Sequence, residues 1–182
     1  MPTPYLVLLI VVALERLAEL LIARRNAQRA FARGAIEVGQ AHYRVMTVFH
    51  TLFLVSCAAE AVLFERTLHP VLSPVMITLA LLAQGLRYWC IRTLGERWNT
   101  RIIVLPEVPP VVGGPYRFVR HPNYVAVIVE MFALPLVVGS VYTAALYSLG
   151  NALLLRVRIR AEEAAMGEHY RRAFDTRPRF VP

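Results

Sequence analysis

The chain has 182 residues, of which 57% are apolar and only 18% are charged, and its net charge is +8. Soluble domains have roughly 45–50% apolar and about 25% charged residues, so this composition excludes a disordered chain, a coiled coil and a disulfide-stapled secreted scaffold. With a mean hydropathy of +0.50, the chain is predicted to be an integral membrane protein.

Apolar stretches predict the membrane helices. Residues 5–22, 45–64 and 71–90 each approach the roughly 20 residues that a spanning helix needs. Residues 125–155 would reach about 46 Å as one helix, well beyond a hydrocarbon core of about 30 Å. Pro135, Gly139 and Ser140 lie where a hairpin would turn, so this stretch is predicted to form two short helices. The fold class is therefore all-α, a polytopic bundle of about five transmembrane helices.

Arginine supplies every positive side chain, because the sequence contains no lysine. Eighteen of the twenty arginines lie in residues 23–44, 87–123 and 156–182. With five spans and the N-terminus outside, all three segments face the cytoplasm, as the positive-inside rule requires. Four spans would leave the tail and its seven arginines outside. We therefore expect a plasma-membrane protein with these three segments on the cytoplasmic side and one integral-membrane domain over residues 1–182.

Residues 101–124 are the first candidate functional segment. Their many prolines and glycines exclude a long helix and predict a rigid loop at the membrane surface. An interfacial arginine and tyrosine belt is the simpler interpretation. The rigid backbone favours a site, since a belt needs no fixed conformation. The polar and aromatic residues concerned are Tyr116, Arg117, Arg120, His121 and Tyr124.

The tail after residue 155 is the second candidate segment. Arg158 and Glu162 are four residues apart and share a helix face, and Arg160 and Glu163 are predicted to form a neighbouring pair. A solvated helix with surface ion pairs is the alternative. The aromatic residues interleaved with arginines further on could bind RNA, but on a membrane protein they favour anionic lipid. We thus expect membrane lipids as partners and no nucleic acid.

These two segments resemble the isoprenylcysteine carboxyl methyltransferase family. The resemblance rests on GPYR-x-x-RHP-x-Y at 114–124, on RI-x-x-EE at 158–163 and on the intervening apolar hairpin, within a motif-bearing part at 100–182. It implies an integral-membrane enzyme that uses S-adenosylmethionine. GAIEVGQAHY at 34–43 and WNTRIIVLP at 98–106 are similar to bacterial members that methylate a hydroxyl of long-chain alkylpyrones or alkylresorcinols.

The resemblance also implies roles for individual residues. The cofactor-binding set is Tyr116, His121, Pro122, Asn123, Tyr124 and Glu162. The catalytic set is Arg158, Glu162 and Arg120, with Arg158 on the substrate side. The sequence departs from the family where residues 108–111 replace a histidine-containing pattern and where Ala126 replaces a glycine.

The chemistry of these residue types suits a methyl donor that carries a sulfonium, a carboxylate and an ammonium group. Tyrosine faces attract a poorly hydrated cation, and Arg120 or His121 could bind the carboxylate. The same arginine and tyrosine side chains would also suit a nucleotide or a lipid phosphate. The methyl acceptor stays open: a carboxylate needs only orientation, whereas a phenol needs a base, for which His121 and Glu162 are the candidates.

Charged residues inside the apolar stretches are further candidates. Glu130 in the fourth span is expected to contact the substrate or to anchor Arg158, because an intramembrane carboxylate is a functional candidate. Glu15 and Glu19, beside Arg16, are expected to pair with other spans. Cys57 and Cys90 indicate apolar core positions, and no histidine spacing indicates a metal site.

Three functional classes were weighed. The leading one is a membrane methyltransferase with a lipophilic acceptor, and a membrane enzyme of this size can form a homodimer. The second is a non-enzymatic scaffold whose basic tail binds lipid or a partner. The third, a small transporter, is disfavoured because the sequence lacks an inverted repeat.

Overall fold

A computed structural model describes residues 3–106 and 108–180, most of them helical. The five helices in this part of the chain are α1 (Thr3–Ala32), α2 (Gln40–Leu63), α3 (Leu72–Leu94), α4 (Pro122–Leu136) and α5 (Val141–Ala173). Two single turns of 3-10 helix, Gly95–Arg97 and Gly114–Arg117, lie in the long connection between α3 and α4. The predicted break in the last apolar stretch is confirmed.

The hairpin between α4 and α5 follows from local sequence. Pro122 occupies the first turn of α4, where its missing N–H costs nothing. Pro135 ends that helix, and Gly139 takes a φ of 68°, a conformation that glycine adopts freely. The 15 residues of α4 extend only about 22 Å at 1.5 Å per residue. Helix α4 is thus shorter than a bilayer core.

The helices alternate in direction, which gives the bundle two ends. At one end Ser73 of α3 donates to the carbonyl of Val137 at 2.5 Å, and Glu60 of α2 accepts from the backbone N–H of Thr143 at 2.7 Å. At the other end Asn26 of α1 donates to the carbonyl of Trp98 at 2.9 Å. We call this second end, which contains the α3–α4 connection and the tail, the loop end.

The apolar surface of the bundle identifies a membrane protein. The stretches Gln40–Leu63 and Leu72–Arg97 are long and apolar enough to cross a bilayer. Only 22% of the apolar 18-residue part of each stretch is buried inside the bundle. A helix in the core of a soluble protein would bury most of such a stretch. Large exposed side chains such as Leu21, Leu81 and Leu149, at 69%, 66% and 71% exposure, suit lipid rather than water.

A short antiparallel sheet corrects the all-α prediction. Strand β1 (Ile36–Val38) pairs with β2 (Ile102–Val104), with Glu37 opposite Ile103. Three residues a strand are too few for an alternating pattern to be read from the sequence. The sheet ties the α1–α2 connection to the loop after α3, and Arg101 reinforces it by an ion pair with Glu37 at 3.0 Å.

Candidate active site

Three side chains from the two predicted segments meet at the loop end. Arg158 of α5 donates from Nε to the Tyr124 hydroxyl at 2.8 Å, and that hydroxyl donates to the carboxylate of Glu162. Because Arg158 and Glu162 are one helical turn apart, both point at the first turn of α4. We call Tyr124, Arg158 and Glu162 the triad. It joins the proline-rich loop to the charged helix, as the sequence predicts.

Arg158 is fixed by further contacts. It is only 6% exposed, and it donates to the carbonyl of Thr100 at 2.7 Å and to the sulfur of Met46 at 3.6 Å. Tyr43 of α2 lies 3.2 Å from the Thr100 hydroxyl. A buried guanidinium is stable only when its donors are satisfied. The α3–α4 connection and α2 therefore hold the arginine in one orientation.

His121 packs beside the triad. Its ring stacks on that of Tyr124, with centroids 5.2 Å apart, and its Nε2 lies 3.1 Å from Glu163 and 3.3 Å from the Tyr170 hydroxyl. Tyr170 and Phe174 are buried, with their ring centroids 4.6 Å apart. These tail aromatics pack inside the protein, contrary to the expectation that they lie against lipid.

The partners of Glu163 correct another prediction. Arg160 is exposed, and the ion partners of Glu163 are Arg179, at 2.6 Å, and His121. Burial alone would raise the pKa of Glu163, but hydrogen bonds from Arg179 and His121 outweigh it and hold the pKa below its usual value. Arg179 follows Glu163 by 16 residues in the sequence, and helix periodicity predicts no contact at that separation.

Residues 175–180 run beside the start of α4. The backbone N–H of Arg120 donates to the carbonyl of Pro178 at 2.9 Å, and that of His121 donates to Arg179 at 3.1 Å. The Arg120 side chain donates from Nε to the carbonyl of Arg177 at 2.5 Å. The helical φ and ψ of α5 break at Gly167, whose φ is 65°. Arg120 thus positions the tail as well as facing the site.

Tyr116 lies in the short turn before α4. Burial raises the pKa of its phenol well above the usual value, so it stays a neutral hydroxyl. The turn depends on Gly114, whose φ of 55° favours glycine and whose missing Cβ leaves room for Thr93. The local sequence GPYR therefore sets the position of Tyr116.

A cavity of about 750 Å³ connects these residues to the middle of the bundle. Its volume lies in the usual range of small-ligand pockets. The predicted site residues that line it are Tyr116, Arg120, His121, Asn123, Tyr124, Arg158 and Glu162. Away from the triad the walls come from α1 and α2 and combine apolar side chains, with Leu17, Leu20, Leu54 and Val55 among them, with the charged Arg16 and Glu19. One space therefore has a polar end and an apolar extension.

Two predicted residues are absent from the described cavity wall. Pro122 is fully buried at the start of α4. Glu130 pairs with Arg87 of α3, so the interpretation that it anchors Arg158 is wrong. Arg16 of α1 lies 3.9 Å from Glu130 of α4, and Glu19 of α1 lies 3.8 Å from Arg87 of α3, which confirms that these charges join different helices. We call Arg16, Glu19, Arg87 and Glu130 the four-charge cluster.

The sequence reasoning predicted Asn123 in the cavity wall but missed Trp98. The amide oxygen of Asn123 and the indole Nε1 of Trp98 are buried and lack a hydrogen-bond partner among the described residues. Trp98 is only 3% exposed. One unpaired acceptor and one unpaired donor in the same cavity wall are what a polar ligand would satisfy. The string WNT at 98–100 was the available signal.

Comparisons with known proteins agree with this geometry. The model of the "Isoprenylcysteine carboxyl methyltransferase (ICMT) family" matches residues 76–168. "Uncharacterized protein YpbQ" of Bacillus subtilis (strain 168) is 40% identical over 163 residues, which cover 89% of this chain and 96% of the relative. An "Uncharacterized protein" of Haemophilus influenzae is 30% identical over 156 residues, which cover 83% of this chain and 88% of the relative.

Proposed function

Because this chain belongs to the isoprenylcysteine carboxyl methyltransferase family, we propose that it is an S-adenosylmethionine-dependent O-methyltransferase of the membrane. Its acceptor is a lipophilic molecule with a carboxylate, enol or phenol head, such as a prenylated cysteine, an alkylpyrone or an alkylresorcinol. One observation carries the proposal: a single cavity extends from the triad to the apolar walls of α1 and α2.

The hydrogen-bond donors and acceptors at the polar end of the cavity fit the cofactor. The half-buried carboxylate of Glu162 can accept from an ammonium or a ribose hydroxyl, and the free acceptor of Asn123 can accept from an amine. The unpaired donor of Trp98 suits a carboxylate. Tyrosine faces, here Tyr116 and Tyr124, attract a sulfonium by roughly 0.5–2 kcal/mol each. When bound, this cofactor supplies a methyl group on a cationic sulfur, which keeps the bonding electron pair when an acceptor oxygen displaces it.

The residues of the chain then orient the reactants and exclude water. Arg158 has its guanidinium fixed by Tyr124, Thr100 and Met46, and a fixed cation orients an oxyanion without reorganisation. The apolar walls near Leu17 and Leu54 accept a hydrocarbon tail. Holding both partners at reacting distance is worth about 7–11 kcal/mol in well-oriented systems. Orientation is thus the main contribution that we assign to the protein.

The arginine distribution supports a cytoplasmic site. The three arginine-rich segments, residues 23–44, 87–123 and 156–182, contain eighteen of the twenty arginines and approach or form the loop end. Five spans with the N-terminus outside satisfy the positive-inside rule, and the cofactor then reaches the cavity from the cytoplasm. The scaffold alternative loses its support because the tail contacts the site through Arg179 and Tyr170.

The test combines binding with transfer. Purified protein in detergent is titrated with labelled cofactor and then supplied with prenylcysteines, alkylpyrones, alkylresorcinols and phospholipids. We expect saturable binding that Glu162→Gln weakens at least about 10-fold, because a hydrogen bond to a charged group is worth about 1.5–3 kcal/mol. Arg160→Gln, on the exposed side of the same helix, is the matched control and should bind normally. Absence of saturable binding to the folded wild type would reject the proposal.

A further inference from the structure

We propose that His50 is the general base that removes the proton from a hydroxyl acceptor, and hence that the reacting oxygen belongs to a phenol. This inference rests on the proposed methyltransferase function and adds a residue to it. A carboxylate is already ionised near neutral pH and needs no base, whereas a phenol with a pKa near 10 does. The argument depends on the ring nitrogens of His50, its place in the cavity and its charged neighbours.

The hydrogen bond of His50 fixes its tautomer. Nδ1 lies 2.8 Å from the carbonyl oxygen of Met46, one turn earlier on α2. A carbonyl oxygen only accepts, so Nδ1 must carry the proton and donate it. The neutral ring therefore has its lone pair on Nε2, the nitrogen that a general base uses. Proteins usually select a histidine tautomer in this way: a hydrogen bond from one ring nitrogen leaves the lone pair on the other.

Nε2 of His50 is available to a ligand. The residue is half-buried and lines the cavity, and Nε2 has no hydrogen-bond partner in residues 3–106 and 108–180. The two base candidates from the sequence are engaged instead. Nε2 of His121 contacts Glu163 and Tyr170, and the carboxylate of Glu162 accepts from the Tyr124 hydroxyl. His50 is thus the histidine of the cavity wall with a free lone pair on Nε2.

His50 lies between the triad and the four-charge cluster. Met46, one turn away on the same face of α2, contacts the guanidinium of Arg158. The charged groups that act on the His50 ring are Arg87 of α3, Glu130 of α4 and Arg158 of α5. Arg87 is paired with Glu130, so Arg158 is the guanidinium that favours an oxyanion formed beside the ring. An acceptor oxygen near Nε2 would be one turn deeper than the triad, at the start of the apolar extension.

The proton step balances without another reagent. The acceptor O–H bond breaks, an N–H bond forms at Nε2, and the electron pair stays on the oxygen, which becomes the nucleophile. His50 becomes an imidazolium and later returns the proton to water at the loop end of the cavity. General-base catalysis of this kind contributes about 10²–10⁴-fold.

The first experiment compares acceptors in two matched variants. His50→Asn keeps an N–H near the position of Nδ1 and lacks Nε2, and His42→Asn makes the same change on the same helix at a residue outside the described cavity wall. We expect His50→Asn to lower methylation of a long-chain alkylphenol about 100-fold at neutral pH and to recover as the pH approaches about 10. His42→Asn should keep the wild-type profile. Undiminished phenol methylation by His50→Asn, or methylation of carboxylates alone by the wild type, would overturn the proposal.

The second experiment needs no methyl transfer. An alkylated nitrophenol, whose ionised form absorbs at longer wavelength, is titrated with pH while bound to cofactor-free protein. We expect the bound probe to ionise at lower pH in the wild type and in His42→Asn than in His50→Asn, with His50→Gln as a second variant. Identical titrations in all four proteins would reject His50 as the base. A retained difference without any methyl transfer would instead reject the proposed function and leave the assignment of His50 standing.

Discussion

The triad and the four-charge cluster are two largely buried groups that contain arginine and glutamate, yet they are built differently. In the triad a tyrosine hydroxyl lies between Arg158 and Glu162, so the two charges are separated and can face a ligand. In the cluster Arg87 lies directly against Glu130 and 3.8 Å from Glu19, so the charges neutralise one another. We infer that the triad binds and that the cluster assembles α1, α3 and α4.

Removal of the Arg87 guanidinium should distinguish most clearly between the assembly role of the four-charge cluster and the binding role of the triad. Arg87→Met leaves Glu130 without its main partner, and an unpaired buried charge costs about 3–5 kcal/mol. We expect the free energy of unfolding in detergent to fall by that amount. The double variant Arg87→Met/Glu130→Leu should recover most of the loss, because it removes both charges. A single variant as stable as the wild type would contradict the assembly role.

A conservative change in the triad should affect transfer more than folding. Arg158→Lys keeps the charge but cannot reproduce three directed contacts, because an ammonium lacks the planar fork of a guanidinium. We expect methyl transfer to fall about 100-fold while the melting temperature changes little. Arg156→Lys, two residues earlier and exposed, is the matched control. Equal losses in both variants would place the effect in the helix rather than in the triad.

Gly114 tests whether the triad depends on the loop. Gly114→Ala must accommodate a φ of 55° and an overlap with the Thr93 side chain, which we expect to cost about 1–3 kcal/mol of stability. Gly113→Ala meets no atom within 4 Å and should be nearly neutral. Thermal unfolding of the two variants measures the difference, and equal stability would show that the turn tolerates a side chain.

The smallest effect is expected in the tail. Because the pKa of Glu163 is held below its usual value near 4.5, its ion pairs contribute stability above that pH and lose it as the pH falls through the lowered pKa. Hydrogen exchange at residues 118–124, corrected for intrinsic rates, should stay slow at neutral pH and become faster below pH 4.5. Glu163→Gln should exchange faster even at neutral pH, and Glu168→Gln, on an exposed pair, should match the wild type.

The sequence predicts the triad better than its surroundings. Helix spacing predicts that Arg158 and Glu162 share a face, and the family motifs, which are local patterns, predict Tyr124, Arg158 and Glu162 as site residues. The partners of Glu163 and Glu130 depend on tertiary packing, which periodicity does not encode. The β1–β2 sheet is too short to leave a pattern. No sequence pattern distinguishes His50 as a base, since only the Met46 carbonyl reveals which ring nitrogen is free.

Trp98 gives the protein an intrinsic optical probe. Its indole lines the cavity and is nearly free of solvent, whereas the second tryptophan, Trp89, is 44% exposed on the outside of α3. Replacing Trp89 by phenylalanine leaves one fluorophore, in the cavity wall. Quenching or a spectral shift of that emission then reports occupancy directly, so affinities can be measured in nanodiscs without labelling either reactant.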